Sequence, residues 1–390
     1  MEGSLRTGSI RNVLAVLVAL IAVAIAIPAA GAGANHRHSH DNHKHHGHKH
    51  KGKNKVKVPA DFFGISAQHP DPGDFVGMGK AGFGTYRASI NWAAVQPTRD
   101  GGYNWAQPDA EIRSATENGL RPVPVVYGMP SFVHAPSPQN LYPPISEADL
   151  SEWQDFTEAV AERYGPGGDF FDSNPGVDNL PVKTWIIWNE QNVEFNWRPK
   201  PDAAQYAELV ERADAGISAV DRKADLVLGG MFGYPGGDLS VDAPKYLRQF
   251  YKVKGIARHF EAVNVHPYGH GGLPDVKKQI TDLRRVAKRA GDRKTGTYIG
   301  EVGWASSGPK RSDLVVGKKG QAKILKKTLQ LLIKKRKAWK VDGVLIYAWR
   351  DFPSGEIGCD WCSGAGLVKQ NRKPKPSLRA VQKVIRSHVK

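Results

Sequence analysis

The chain has 390 residues, ample for one large α/β domain or two smaller ones, and a formal charge of +17 at pH 7. Only two cysteines occur, Cys359 and Cys362, too few thiols for a cysteine zinc site. The basic excess comes without a nucleic-acid motif, so nucleic acid is not the expected partner.

In chain order, residues 1–34 read as a signal peptide. Arg6 and Arg11 precede an unbroken apolar run from Val13 to Ile27, and Ala32-Gly33-Ala34 fits an A-x-A cleavage site. An uncleaved anchor is the competing reading, because residues 13–34 nearly reach bilayer-spanning length. No other segment is apolar enough to cross a membrane, so a secreted or cell-surface protein is expected. Residues 35–58 hold eight of the fourteen histidines, between His36 and His50, followed by alternating lysines. With no aliphatic residue before Val56, this linker cannot bury a core and is expected to be disordered. Its imidazoles could bind metal, but their irregular spacing fixes no coordination geometry, and a solvated basic tether is the preferred reading.

From Pro59 onward, short apolar runs alternate with helical segments. The strands are "FFGISA" (62–67), "TYRASI" (85–90), "RPVPVVY" (121–127), "VKTWIIW" (182–188), "LVLGG" (226–230), "FEAVNVH" (260–266), "TYIGE" (297–301) and "GVLIYAW" (343–349). Helices are predicted near 109–118, after Ser146, and near 202–220, 243–254, 274–290, 320–339 and 377–387. "GMGKAGFG" (77–84) reads as a helix-to-strand turn. Eight alternating units over residues 59–390 predict a single α/β domain, a (β/α)₈ TIM barrel. A doubly wound sheet would want a glycine-rich phosphate loop after an early strand, and none is present. From Lys318 to Lys340 the chain carries ten Lys or Arg and no acidic residue, with apolar positions at helical spacing. That makes an amphipathic helix with a basic outer face, which reads first as merely solvated and otherwise as suited to an anionic cell-wall or membrane surface. In an oxidising compartment, Cys359 and Cys362 in "GCDWCSG" are expected to form a local disulfide.

In a barrel of this kind the chemistry sits at the C-terminal strand ends. Those ends carry Arg87, Asn189 with Glu190, His266 with Tyr268, Glu301, and Trp349. Two carboxylates on the fourth and seventh strands suit glycosidic bond cleavage, which needs an acid and a nucleophile around one sugar carbon.

The motifs "WNEQ" and "IGEVGW" on those two strands resemble the clan A glycoside hydrolases, retaining β-glycosidases on a (β/α)₈ barrel. The likeness extends to "YRASINWAAVQPT", "VNVHPYG" and "GLVKQNRKPKPSLRA", in order from Phe62 to Ala380. Gln191 departs from the proline common at that position. The resemblance implies retaining hydrolysis of a polysaccharide or oligosaccharide by a monomer needing no metal or organic cofactor. It makes Glu190 the acid/base and Glu301 the nucleophile. Asn189 would contact the sugar 2-hydroxyl, Arg87 would hold Glu301 ionised, and His266 or Tyr268 would orient it. Trp349 would floor the sugar site. Glu301 should titrate low and Glu190 high, with the carboxyl groups about 5 to 5.5 Å apart. Asp351, Glu356, Trp92, Tyr127, Trp197 and Trp304 are accessory candidates. The alternatives are a carbohydrate-binding protein on a decayed barrel and a metal sequestrant acting through its histidines.

Overall fold

A computed structural model describes residues 56–133, 142–354 and 359–390. The signal peptide, nearly all of the His/Lys-rich linker and Glu356 lie outside the described residues.

Every ladder in the sheet is parallel. The strands are β1 (Phe63–Ser66), β2 (Thr85–Tyr86, resuming at Ser89–Asn91) and β3 (Arg121–Pro122, resuming at Val125–Tyr127). There follow β4 (Thr184–Asn189), β5 (Asp225–Phe232), β6 (Ala262–His266), β7 (Gly296–Val302) and β8 (Val341–Tyr347). The two segments of β2 each pair with the corresponding segment of β3. Between them the ladder continues through the Val123 amide donating to the Tyr86 carbonyl at 2.8 Å and the Val125 amide to the Ala88 carbonyl at 3.0 Å. β1 pairs with both β2 and β8, so the eight strands close on themselves. This is the (β/α)₈ barrel expected from the alternation.

The crossovers are α1 (Pro72–Ala81), α2 (Ala106–Thr116), α3 (Glu147–Tyr164), α4 (Ala203–Val220), α5 (Ala243–Phe250), α6 (Leu273–Arg289), α7 (Gly317–Trp339) and α8 (Pro376–His388). The strands are buried on both faces, which explains their continuous apolar runs. One face fills the barrel with Val123, Val125, Ile186, Val227, Ala262, Tyr298 and Leu345. The other packs against the helices.

The third crossover shows how sequence becomes packing. The Ser146 hydroxyl caps α3 by accepting from the Asp149 amide at 3.1 Å. Leu150, Trp153, Phe156, Val160 and Tyr164 then fall on one buried face. Burying each such side chain contributes roughly 1.5–3 kcal/mol. The Trp153 indole N–H donates to the Leu209 carbonyl of α4 at 3.1 Å, so Trp153→Ala would cost about 3–5 kcal/mol.

One element differs from the sequence expectation. Residues 77–81, read as part of a turn, are the last turns of α1. Glycine lowers helix propensity, but here it serves a contact: a Cβ on Gly77 would overlap the Trp349 ring. Tertiary packing overrides local preference.

Candidate active site

Four strand ends build the mouth. β4 delivers Asn189 and Glu190 in succession, which a regular strand would point to opposite sides. The backbone breaks that alternation: Trp188 and Glu190 both take left-handed φ, 68° and 48°. Such conformations cost of order 1–3 kcal/mol each and persist where the surroundings enforce them. Here the Trp188 indole donates to the Asn196 carbonyl at 2.8 Å, and the Glu190 amide to the Gly230 carbonyl at 3.1 Å.

Arg87, at the interruption of β2, bridges the two motif residues. Its Nη2 donates to Asn189 Oδ1 at 2.7 Å and its Nη1 stands 3.1 Å from Glu301 Oε1. With Asn189 Oδ1 so engaged, its amide nitrogen is left to face a ligand. Tyr268 donates its hydroxyl to Glu301 Oε2. His266 is fully buried, with Nδ1 2.8 Å from Glu190 Oε1 and 3.8 Å from Glu301 Oε2. Its ring fits because β5 offers Gly230 opposite; a Cβ there would overlap the imidazole. Asn196, on the loop after β4, donates to Glu190 Oε2 at 3.0 Å.

Glu301 is buried, and burial pushes its pKa up. The positive charges of His266 and Arg87 and the Tyr268 hydrogen bond outweigh that and hold the carboxyl below its ordinary range. One donor atom each from Glu190, His266 and Glu301 lie within 4.8 Å of one another. Such a set could close on a cation, but the Arg87 guanidinium beside Glu301 opposes one there. A cleft of about 850 Å³ opens at this point, lined by Arg87, Asn189, Trp188, Tyr127, Asn196 and Glu301 among others.

Several sequence-predicted residues stand elsewhere. Trp349 does not floor the mouth. It is 3% exposed, its indole N–H donates to Asp74 of α1 at 3.1 Å, and its ring packs beside Gly77. Tyr347 and Trp361 stand behind the nucleophile's partner instead, meeting Tyr268 edge-on at 6.5 and 5.0 Å, while the cleft itself is lined by Tyr127, Trp188, Tyr86 and Phe75. Burial, then the negative charge of Glu301, raises the Tyr347 hydroxyl pKa. Trp361 sits inside the Cys359–Cys362 disulfide loop. Trp92, Trp197 and Trp304 are fully buried core residues, and only Tyr127 of the accessory aromatics lines the cleft. Asp351 accepts from Lys375 Nζ at 2.6 Å and the Gly366 amide at 3.0 Å, a structural bond. Of His266 and Tyr268, it is Tyr268 that bonds Glu301 directly. The sequence reading missed Tyr347, Trp361 and Asn196; the disulfide motif was the one available pointer to Trp361.

No family model matches the chain, and no curated protein matches it. Solved structures do. A family 39 glycoside hydrolase from Bacteroides cellulosilyticus WH2 is 18% identical with a TM-score of 0.62; the match covers 84% of this chain and 63% of that one. This chain therefore spans less than two thirds of that neighbour. A GH5_18 protein from Streptomyces cattleya, in complex with Manb1-4GlcNAc, is 17% identical with a TM-score of 0.61, covering 84% of this chain and 80% of that one. Xylanase 10B from Thermotoga maritima is 16% identical with a TM-score of 0.57, covering 84% and 95%. The chain has the (β/α)₈ fold of the clan A glycoside hydrolases that its sequence resembles.

Proposed function

We propose that the chain is a glycoside hydrolase that cleaves β-configured O-glycosidic bonds of a polysaccharide or oligosaccharide with retention, using Glu301 as nucleophile and Glu190 as acid/base. The observation that carries this reading is the spacing: a carboxylate oxygen of each glutamate falls within the same 4.8 Å group. A retaining pair stands about 5–5.5 Å apart, whereas an inverting pair needs roughly 6.5–9.5 Å to admit a water.

Each neighbour has a part in the displacement. Glu301, held ionised by Arg87, His266 and Tyr268, attacks the anomeric carbon. Glu190 gives its proton to the departing oxygen as that carbon–oxygen bond breaks, leaving a glycosyl ester on Glu301. Glu190, now a carboxylate, takes a proton from water. The water oxygen adds to the anomeric carbon, the ester breaks, and Glu301 leaves as carboxylate with the original configuration restored. His266 and Asn196 hold one oxygen each of Glu190, fixing its direction of approach. The free amide nitrogen of Asn189 is placed to donate to a sugar hydroxyl, an interaction that strengthens as positive charge develops on the ring. An extracellular working place, supported by the sequence of residues 1–34, suits a polysaccharide substrate.

The test is a panel of aryl β-glycosides and polysaccharides assayed with wild type, Glu190→Ala and Glu301→Ala. Hydrolysis by wild type and its loss in Glu301→Ala are expected. Turnover in both variants equal to wild type would sink the assignment.

A further inference from the structure

Outside the mouth, the described residues carry a strongly unbalanced surface on the outer wall made by α7 and α8, which pack against each other. Neither helix contains an acidic residue. On α7, Lys319, Lys323, Lys326, Lys327, Lys334 and Lys337 are all exposed, at spacings of three, four, seven or eight that put them on one face. Arg379, Lys383 and Arg386 of α8 are exposed beside them. Among the described residues none of these nine side chains makes an ion pair. Most acidic groups on the neighbouring helices are engaged elsewhere: Asp275 of α6 accepts from the Gly271 amide at 2.6 Å. Asp282 of α6 is held by Lys278 and Arg285, and Asp71 and Asp74 at the start of α1 by Arg350 and Arg372.

We propose that this wall is a docking surface for a linear anionic polysaccharide, separate from the hydrolytic mouth. The stripe from Lys319 to Lys337 is about 27 Å long at 1.5 Å per residue, with cations returning at each turn of about 5.4 Å except across Gln330 and Leu331, where one turn carries none. That suits a polymer with charge distributed along its length. The stripe's N-terminal end starts on the side of the barrel where β7 ends, the side that carries the mouth. Its lower end, at Lys337 and Lys340, opens on the base of the barrel.

The composition of the face selects among polyanions. Seating in a lipid surface calls for apolar side chains among the cations, and no exposed large hydrophobic residue lies on either helix. Single-stranded nucleic acids gain much of their hold from aromatic stacking, and Trp339, the one aromatic on α7, is buried. Lysine outnumbers arginine, giving hydrated point charges rather than the planar forks that grip phosphate bidentately. Choosing a glycan over another polyanion also rests on the glycosidase reading; the demand for a polyanion does not.

The test uses the full chain and the K323Q/K326Q/K327Q/K334Q variant, with sodium polygalacturonate as the probe and neutral dextran as its control. At about 50 mM salt the wild type is expected to bind polygalacturonate but not dextran, and about 0.5 M salt should release it. The variant should bind at least about tenfold more weakly, with a shallower salt dependence, while keeping wild-type melting and aryl-glycoside turnover. Equal binding by variant and wild type, or no binding by wild type, would overturn the proposal. So would tighter binding to single-stranded DNA or to anionic vesicles than to polygalacturonate. Loss of turnover with binding intact would count against the hydrolase reading instead, so the two failures are distinct.

Discussion

The two ends of the barrel both present carboxylates in a sizeable cavity, and only at the mouth do partners converge on one of them. At the base, Asp225, Glu261 and Asp342 line a cavity of about 920 Å³, larger than the cleft at the mouth. Their side chains reach solvent, but partial desolvation in the cavity raises all three, and each is pushed further by another acidic neighbour, Asp221 for Asp225 and Asp225 for the other two. Glu301, at the mouth, is far more deeply buried, yet His266, Arg87 and Tyr268 converge on it and reverse the sign. Cavity size and charge count therefore do not locate the site. What does is a carboxylate whose desolvation is overcome by partners that the fold has aimed at it.

That contrast can be broken or sharpened by substitution at each end. The largest effect is expected for Glu301→Ala, which should lower kcat/KM on aryl glycosides by at least about 10³-fold, while Asp342→Asn stays within about twofold. An equal loss in both would erase the distinction between the ends. Glu190→Ala should cost about 10²–10⁴-fold on substrates with poor leaving groups and much less on good ones, with azide restoring turnover. A uniform loss across leaving groups, unrelieved by azide, would deny Glu190 its role.

Tyr268→Phe probes the sign reversal itself. The hydroxyl helps to hold Glu301 low, so its removal raises the folded-state pKa and reduces the ionised fraction on the acid side. The acid limb of the kcat/KM profile should therefore move to higher pH. A limb that stays in place would show that Tyr268 is structural only. The smallest effect concerns Glu111 of α2, beside the cleft, whose pKa burial pushes up to about 7 from an ordinary 4.5. Hydrogen bonds from Tyr86 and Gln107 oppose that only in part. A raised acid binds more protons folded than unfolded, so its contribution to stability is lost as pH rises from about 4.5 to about 7. Glu111→Gln cannot titrate, so the melting temperature of the variant minus that of wild type should become more positive from pH 5 to pH 8. A difference flat with pH would contradict the shift.

The barrel was legible because its strands are short, apolar and bounded by turn residues, and because the helices between them keep a 3.6-residue period. Asn189, Glu190 and Glu301 were legible for a related reason: a polar pair or a carboxylate at the end of an apolar strand is costly unless it is used. What sequence could not convey was direction. Tyr347 and Trp349 stand two apart at the end of β8, yet one ring faces Tyr268 and the other is bonded into α1. The left-handed turns at Trp188 and Glu190 leave no trace in residue type, because neither is glycine. Asn196 reaches Glu190 from a loop with no periodicity to read. The last turns of α1 were hidden by glycines whose purpose, room for Trp349, exists only in three dimensions.

The central claim is that two glutamates on different strands work on one anomeric carbon by double displacement. It is tested most directly by recording proton NMR spectra during the first minutes of aryl β-glycoside hydrolysis, before the released sugar mutarotates. The account predicts that the β-anomer appears first and the α-anomer follows only at the rate of spontaneous mutarotation. First appearance of the α-anomer would mean a single inverting displacement and would contradict it.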